Sequence, residues 1–308
     1  MPLTRILCED YAGLQSQGIG LAEAAGLPAE TLVLVPRRPW RWVAARLWPA
    51  PLAATGLAPP FPELVIAVGG VAAAVGAALR RRGARVVQVQ HPRMALDRFD
   101  LIIAAAHDRI SGPNVIVTRT ALHRVTPARL AAAAALWAPR LAHLPRPLVA
   151  VLVGGANGRF RLDRAAGARL GAELAAMMRG ERAGIALTPS RRTGAAALAA
   201  LRVALEPLGG YVWDGTGENP YFGLLALADA IIVTVDSVSM ISEAVATNAP
   251  VMLAPLPGRA RRNAVFVAAL TAAGRVRPFA GRLERWPVAP LDDTSLAAAE
   301  MRRRLGLD

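Results

Sequence analysis

The residues best suited to bind a ligand lie at 233–244, where an apolar segment becomes polar. Asp236, Ser237 and Ser239 follow the apolar run, and Glu243 comes one to two helical turns later. A strand that leads into a helix presents the free N–H groups of the first helical turn, which attract anions. A glutamate further along the helix can accept two hydrogen bonds from a ribose diol. The segment therefore predicts a site for a phosphorylated nucleoside.

An ordinary helix cap would use the same residues without any ligand. Asp236 or Ser237 would then accept hydrogen bonds from the first N–H groups of the helix, and Glu243 would lie on the helix surface. Both interpretations require a helix that begins near Ser237. They differ in whether its first turn also binds an anion.

A glycine-rich loop at 154–159 follows another apolar segment. Gly154 and Gly155 would let backbone N–H groups approach a phosphate, and Arg159 would add positive charge. The spacing differs from GxGxxG, so an ordinary turn between a strand and a helix is the alternative.

Residue counts exclude several kinds of chemistry. All 36 basic residues are arginine, so Schiff-base chemistry and a Walker P-loop, which both need lysine, are excluded. The single cysteine, Cys8, cannot form an intramolecular disulfide or a cysteine-based zinc or iron–sulfur site. The four histidines are scattered and form no HExxH motif. We expect no dedicated metal site and no tightly bound cofactor.

The chain is strongly basic, with 36 arginines against 22 acidic residues and a net charge of +14. This charge attracts anionic partners at long range, and a GC-rich genome would produce the same arginine bias. Only 5% of the residues are aromatic, and no base-reading motif is present. We therefore expect no nucleic-acid partner.

The elements that must position these residues alternate between short β-type runs and helical stretches, which is typical of parallel sheets. Strands are predicted at 3–8, 31–35, 64–68, 85–90, 100–105, 115–117, 148–153, 184–187, 211–213, 230–235 and 250–254. Helices are predicted near 14–25, 71–82, 127–137 and 294–305. A proline-rich segment at 139–147 separates two repeats of the pattern. This predicts an α/β fold with two Rossmann-like domains, 1–145 and 146–308, facing across a cleft.

The N-terminus has no secretory signal pattern, because its apolar residues give way to polar ones within a few positions. The longest uncharged run, 64–79, has 16 residues. A bilayer-spanning helix needs about 20. We expect a cytoplasmic protein.

Several short motifs spread over nearly the whole chain occur together in one known family. They are GLQSQ at 13–17, GLAE at 20–23, HD at 107–108, GPNV at 112–115, ALHRV at 121–125, VGG at 153–155, SRRT at 190–193, NPY at 219–221, the segment 236–244 and NAPV at 248–251. With these motifs the chain resembles the mitochondrial fission proteins of the elongated-mitochondria type, which look like glycosyltransferases of the GT-B fold. It departs from the family pattern at Asn248, where glycine is expected.

The resemblance implies that the second domain binds a nucleoside-diphosphate sugar as co-substrate. The residues implied in this site are Gly154, Gly155, Arg159, Ser190, Arg191, Arg192, Trp213, Asn219, Tyr221, Asp236, Ser237, Ser239 and Glu243. Arg191 or Arg192 would stabilise the charge of the leaving diphosphate without a metal, or would form a solvated basic turn. Trp213, Asn219 and Tyr221 would frame the base, and for Trp213 packing in the core is the alternative.

An inverting sugar transfer also needs a group in the first domain that takes the proton of the acceptor hydroxyl. Asp10 lies two residues after the first predicted strand and is the leading candidate. His107 and Asp108 follow the fifth strand and are the second candidate, with a structural turn pair as the alternative.

Residues 36–62 differ from the rest of the chain, with seven prolines, three tryptophans, four arginines and no acidic residue. If the segment is helical, one face is formed by Trp40, Val43, Ala44, Leu47 and Trp48. Arg38, Trp42 and Arg46 lie opposite. Such a helix suits the surface of an anionic membrane, and a helix packed on its own domain is the alternative.

Two functions of different class follow. The first is a cytoplasmic glycosyltransferase, peripheral at the inner membrane face, that uses a nucleoside-diphosphate sugar and acts on an envelope glycan or lipid. A sugar-nucleotide epimerase is its near neighbour on the same fold. The second is a non-catalytic adaptor that binds a protein partner, because the plant members of the family are known chiefly for recruiting a fission machine.

Overall fold

The computed structural model describes residues 4–307 and divides into two compact units. The first unit contains the chain up to Arg124 together with the residues from Asp292 onward, and the second is Val125–Leu291. Each unit has one six-stranded sheet with helices packed against it. The predicted α/β fold with two Rossmann-like units is confirmed.

The first unit is built on six parallel strands. They are β1 (Thr4–Cys8), β2 (Ala29–Val33), β3 (Leu64–Val68), β4 (Arg85–Val89), β5 (Leu101–Ala105) and β6 (Val115–Thr118), in the order β2-β1-β3-β4-β5-β6. The helices between them are α1 (Ala12–Ala24), α2 (Pro51–Thr55) and α3 (Gly70–Arg80). All five residues of β3, LVIAV, are buried, because an internal parallel strand is covered on both faces. Leu3, the predicted start of β1, lies outside the described residues.

The second unit repeats this plan. Its strands are β7 (Leu148–Val153), β8 (Gly184–Pro189), β9 (Tyr211–Val212), β10 (Ala230–Thr234), β11 (Val251–Ala254) and β12 (Val276–Pro278), in the parallel order β12-β11-β10-β7-β8-β9. Its helices are α4 (Pro127–Leu141), α5 (Arg164–Glu181), α6 (Ala195–Leu205), α7 (Tyr221–Leu227), α8 (Val238–Val245) and α9 (Arg261–Ala272). The sequence did not predict β12, because this edge strand is short and two of its three residues are exposed.

Helix α4 and the last helix of the chain each pack in a different unit from the one that the predicted boundary at 145/146 assigns to them. Trp137 of α4 is buried in the second unit, where Gly223 lacks the Cβ atom that would lie 2.4 Å from its ring. The last helix, α10 (Asp293–Leu305), buries Ala298 and Met301 in the core of the first unit. The unit in which each helix packs is therefore determined by where its apolar face is buried and not by its position in the chain.

The α-helix predicted around Trp40–Trp48 is wrong. The structure has two short 3-10 turns, Trp40–Trp42 and Ala45–Leu47, separated by a break in helical conformation at residues 43–44. Trp48 is buried, and its indole N–H donates a 2.9 Å hydrogen bond to the carbonyl of Val43. The exposed large apolar side chains of this stretch are Trp42, Val43 and Leu47. No helix within residues 4–307 is long and apolar enough to cross a membrane.

Candidate functional site

Three loops of the second unit meet around the carboxylate of Asp236. They follow β10, β7 and β8, which are neighbours in the sheet, so their carboxyl ends lie side by side. Oδ2 of Asp236 accepts hydrogen bonds of 3.0 Å from the N–H of Gly155 and from Nη2 of Arg192. Oδ1 accepts a 2.7 Å bond from the hydroxyl of Thr234. The side chain is fully shielded from solvent, so these bonds replace the water that a charged carboxylate would otherwise bind.

The two predicted glycines allow this close approach. A Cβ atom on Gly154 would lie 2.4 Å from the carboxylate oxygens of Asp236, and one on Gly155 would lie 2.2 Å from the carbonyl oxygen of Arg192. The N–H of Gly154 donates to Thr234 Oγ1 at 2.7 Å. Both glycine N–H groups therefore donate to protein groups, and the glycines bring the loops together.

The loop after β8 is fixed to the loop after β7 by side chains. Ser190 Oγ donates a 2.7 Å hydrogen bond to the carbonyl of Gly154, and Thr193 Oγ1 donates to the same oxygen. Arg192 Nη1 donates to the carbonyl of Gly155 at 3.0 Å. The side chain of Arg192 is 38% exposed, so it is both anchored to Asp236 and accessible to an anion. Thr193 was outside the predicted set of site residues.

Helix α8 begins at this junction. Ser237 is its N-cap residue, and its hydroxyl accepts a 3.4 Å hydrogen bond from the N–H of Met240, as the capping interpretation predicts. The N–H groups of Val238 and Ser239 open the helix and have no preceding helical carbonyl to bind. The cap and an anion site are therefore compatible, because the cap uses Met240 and not the first two N–H groups.

Glu243 is buried, and the interpretation that it lies on the helix surface is wrong. It is 7% exposed, and its Oε2 accepts a hydrogen bond from the hydroxyl of Tyr221 on α7. Burial and the negative charge of Glu243 raise the pKa of Tyr221 well above its ordinary value, so the phenol remains a donor. Asn219 orients this pair, because its Oδ1 accepts a 3.0 Å bond from the N–H of Tyr221.

The other end of α8 is held by Arg275, which the sequence did not single out. This arginine is 3% exposed, and its guanidinium donates to the carbonyls of Val245, Thr247 and Ala249. Burial lowers its pKa to about 10, so it stays charged at neutral pH. A cation at the C-terminus of a helix is favourable. Arg275 therefore fixes the helix that carries Ser237 and Glu243.

Three other predicted residues lie on the loops after β7, β8 and β9, and Trp213 lies furthest along the sheet from Asp236. Trp213 follows β9, three strands from β10, and its indole N–H donates to the carbonyl of Thr216 at 2.7 Å. Three inter-strand steps correspond to about 14 Å. Arg159 and Arg191 are exposed on the loops after β7 and β8. The structure thus joins the predicted glycines, Ser190, Arg192 and Asp236 by hydrogen bonds and places Trp213 on a separate loop.

In the first unit, the two candidate proton acceptors follow β1 and β5 at the same edge of the sheet. Asp10 is exposed and accepts a 3.1 Å hydrogen bond from the side chain of Gln15. His107 and Asp108 are partly buried in a short 3-10 turn. Since β1 and β5 are three strands apart, these groups lie about 14 Å from each other and form separate candidates.

Glu9 is a further acidic group at this edge and was not among the predicted site residues. Its partly buried carboxylate accepts a hydrogen bond from the backbone N–H of Val71, at the start of α3. Burial raises the pKa of Glu9, and the bond from Val71 partly counters this. A carboxyl group with a raised pKa at the carboxyl edge of a sheet is a candidate for proton transfer. Among residues 4–307 no group of three His, Cys, Asp or Glu side chains is arranged to hold a metal ion.

Comparison with known proteins gives a family and a fold. The family described as Mitochondrial fission ELM1 matches residues 12–305. The chain is 34% identical over 280 residues to mitochondrial fission protein ELM1 of Arabidopsis thaliana. That match covers 79% of this chain and 64% of the plant protein, so the chain spans less than two thirds of its relative.

Two solved structures show the same architecture at low identity. The chain is similar to UDP-GlcNAc 2-epimerase from Neisseria meningitidis bound to UDP-GlcNAc, with a TM-score of 0.53, 10% identity and 100% coverage of both chains. It is also similar to the glycotransferase of kitacinnamycin, with a TM-score of 0.54, 13% identity, and coverage of 99% of this chain and 95% of that one. At these identities the similarity shows the fold alone, which is of the GT-B type.

Proposed function

Because the chain belongs to the mitochondrial fission ELM1 family and has a GT-B-like fold, we propose that it is a glycosyltransferase that uses a nucleoside-diphosphate sugar. The acceptor is an envelope glycan or lipid at the inner face of a membrane. The donor binds in the second unit, without a metal and without a tightly bound cofactor.

The observation that carries this proposal is the junction at Asp236. One buried carboxylate holds the loops after β7, β8 and β10 together, so the first turn of α8 and the guanidinium of Arg192 lie at one place on the sheet edge. Free helix N–H groups and an arginine are the donors that a diphosphate requires. The epimerase of the same fold, which was solved with UDP-GlcNAc, supports this class of ligand.

Each part of the site has a proposed role. The N–H groups of Val238 and Ser239, with Arg192 and the neighbouring Arg191, bind the diphosphate. Glu243, held by Tyr221, accepts hydrogen bonds from the ribose diol. The glycine N–H groups serve the loop junction, so the phosphate contacts come from the helix and the arginines.

The transfer itself forms a bond between the acceptor oxygen and the anomeric carbon and breaks the bond from that carbon to the diphosphate. The acceptor proton passes to a carboxylate or imidazole of the first unit, for which Asp10 is the first candidate and the pair His107 and Asp108 the second. The arginines stabilise the negative charge that develops on the leaving diphosphate.

Two alternatives remain on the same fold. A sugar-nucleotide epimerase would use the same donor site, and the similarity to the Neisseria enzyme favours it. A non-catalytic adaptor would bind a protein partner, and the name of the plant relative favours a role of that kind. Thermal unfolding with a panel of nucleoside diphosphates tests the two enzyme functions against the adaptor. A transferase or an epimerase must bind at least one of these ligands, and binding to the folded protein raises its melting temperature. If none raises the melting temperature, the donor-site proposal is wrong.

A further inference from the structure

Exposed apolar side chains are concentrated in one short segment of the first unit. Among the described residues, ten large apolar side chains are exposed, and four of them lie within 35–47. They are Val35 at 71%, Trp42 at 66%, Val43 at 38% and Leu47 at 64%. Exposing them costs free energy in water, so a concentration of this kind indicates an interaction surface.

The segment is held firmly while these side chains point away from the core. Trp48 is 6% exposed and packs against Trp40, with ring centroids 6.5 Å apart. The N–H of Arg37 donates to the carbonyl of Ala54 on α2 at 2.8 Å. The exposed groups are therefore presented by an anchored loop, which lowers the conformational entropy lost on binding.

The charged side chains of this segment are all positive. Residues 31–62 contain no acidic side chain. The guanidinium groups of Arg38 and Arg41 lie 5.7 and 4.4 Å from the ring centroid of Trp42. No ion pair with a described carboxylate is formed by Arg37, Arg38, Arg41, Arg46, Arg81 or Arg82. A partner that covers the segment must therefore supply negative charge.

A pocket continues the surface. It has a volume of about 470 Å³ and is lined by residues 49–53, Ala78, Arg81 and Arg82. Residues 49–53 come shortly after the exposed segment, and the two arginines directly follow the end of α3. Both arginines are exposed, and Arg82 also stacks on Phe61 at 5.3 Å. The pocket thus offers two cations beside apolar walls, which suits a phosphate attached to an apolar body.

We propose that residues 35–53, with Arg81 and Arg82, form a docking surface for an anionic lipid bilayer. Trp42, Val43 and Leu47 enter the interface, and the pocket arginines receive a lipid phosphate. The combination of insertable apolar groups with unpaired arginines favours a bilayer over nucleic acid, because nucleic acid would use the charge and leave Val43 and Leu47 exposed. This inference rests on the proposed membrane location of the enzyme and specifies its surface.

The test is flotation of the full chain with vesicles of phosphatidylcholine alone or mixed with phosphatidylglycerol. Binding is expected only to the anionic vesicles and should weaken as salt rises. Arg81→Gln combined with Arg82→Gln should lower the partition coefficient about 25-fold, since each arginine contributes about fivefold. Trp42→Ser should lower it about tenfold at every salt concentration, because apolar burial is not screened.

Matched controls lie in the second unit. Arg164→Gln combined with Arg169→Gln removes the same charge from exposed positions of α5, and Val203→Ser removes an equally exposed apolar group. These variants should bind vesicles like the wild type. Equal losses in the controls, full binding by Trp42→Ser, or no binding of the wild type to anionic vesicles at low salt would overturn the proposal.

Stabilisation by UDP is measured on every variant. If UDP stabilises the wild type but the protein does not bind vesicles, the docking-surface proposal is rejected and the donor-site proposal stands. If the protein binds vesicles but no nucleotide stabilises it, the donor-site proposal is rejected and the docking-surface proposal stands. A competing RNA that displaces the protein from vesicles, and binds Trp42→Ser as well as wild type, would show that charge alone drives the binding.

Discussion

The hydroxyl of Tyr221 donates a hydrogen bond to Oε2 of Glu243, and this bond joins helix α7 to helix α8 inside the second unit. Glu243 is buried and Tyr221 is partly buried, so the carboxylate is held in one orientation before a ligand arrives. The family resemblance implies that Tyr221 frames the base of the nucleotide. The contact instead makes it a positioning residue for the carboxylate that we assign to the ribose.

The first prediction concerns Glu243 and donor binding. At about a hundredfold excess over its dissociation constant, UDP should stabilise the wild type by roughly 2.7 kcal/mol. Glu243→Gln keeps the shape of the side chain and loses the charge that strengthens bonds to the ribose hydroxyls, so most of this gain should disappear. Differential scanning calorimetry measures it, with Glu181→Gln, an exposed residue at the end of α5, as the control. An unchanged UDP effect in Glu243→Gln would reject the ribose assignment.

The second prediction concerns the hydroxyl of Tyr221. Tyr221→Phe leaves a buried carboxylate short of one donor, which should lower the free energy of unfolding by about 1–3 kcal/mol. Tyr211→Phe removes a hydroxyl that makes no hydrogen bond among the described residues, and its effect should be small. Urea unfolding at neutral pH compares the two variants.

The pH dependence gives an independent check of the same bond. The folded state raises the pKa of Tyr221 above its ordinary value of 10.0, so the native protein holds this proton more tightly than the unfolded chain. Its stabilising effect is complete below that value and is lost as the pH rises beyond it. The wild type should therefore lose stability faster than Tyr221→Phe above pH 10. Parallel curves for the two proteins would contradict this assignment.

Much of the fold was predictable because the buried strands carry continuous apolar runs. Strands such as β7, LVAVLV, are fully buried, and the loops after them are where the predicted site residues lie. The meeting of Gly155, Arg192 and Asp236 was not predictable in detail. These residues are 37 to 81 positions apart in the chain, and only the strand order brings them together.

The conformation of the segment around Trp40 and the role of Arg275 were not predictable, because tertiary packing determines both. The segment around Trp40 has the spacing of an amphipathic helix, yet its structure is two 3-10 turns and its Trp48 packs inward. Arg275 gave no motif signal, because its partners are backbone carbonyls at the end of α8. A buried arginine of this kind is identified only when the helix end it contacts is known.

The third prediction separates two adjacent arginines. Arg192→Ala leaves the buried carboxylate of Asp236 without its ion-pair partner and should destabilise the second unit by about 1–3 kcal/mol. Arg191 is exposed, so Arg191→Ala should change stability by less than about 0.5 kcal/mol. Both variants should weaken UDP much more than uridine, because a bond to phosphate is lost. Titration calorimetry with both ligands measures this, and equal losses for UDP and uridine would point to a folding defect.

The last prediction concerns Glu9 in the first unit. Burial raises the pKa of this carboxyl above its ordinary value of 4.5, so the native state binds the proton more tightly than the unfolded chain does. Because of this linkage, protonated Glu9 contributes fully to the stability of the fold below pH 4.5. The contribution is lost as the pH rises through the raised pKa of the folded state. At neutral pH the ionised carboxylate therefore costs stability.

Glu9→Gln removes this cost, because the amide stays neutral and its oxygen can still accept the hydrogen bond from Val71. The variant should be more stable than the wild type at pH 7, and the difference should shrink toward pH 4, where the wild-type carboxyl also becomes neutral. Chemical unfolding at both pH values measures it, with Glu63→Gln, an exposed carboxylate of the same unit, as the control. If Glu9→Gln and the wild type differ in stability by the same amount at the two pH values, burial does not make ionisation of Glu9 unfavourable. Its candidacy as a proton acceptor would then rest on position alone.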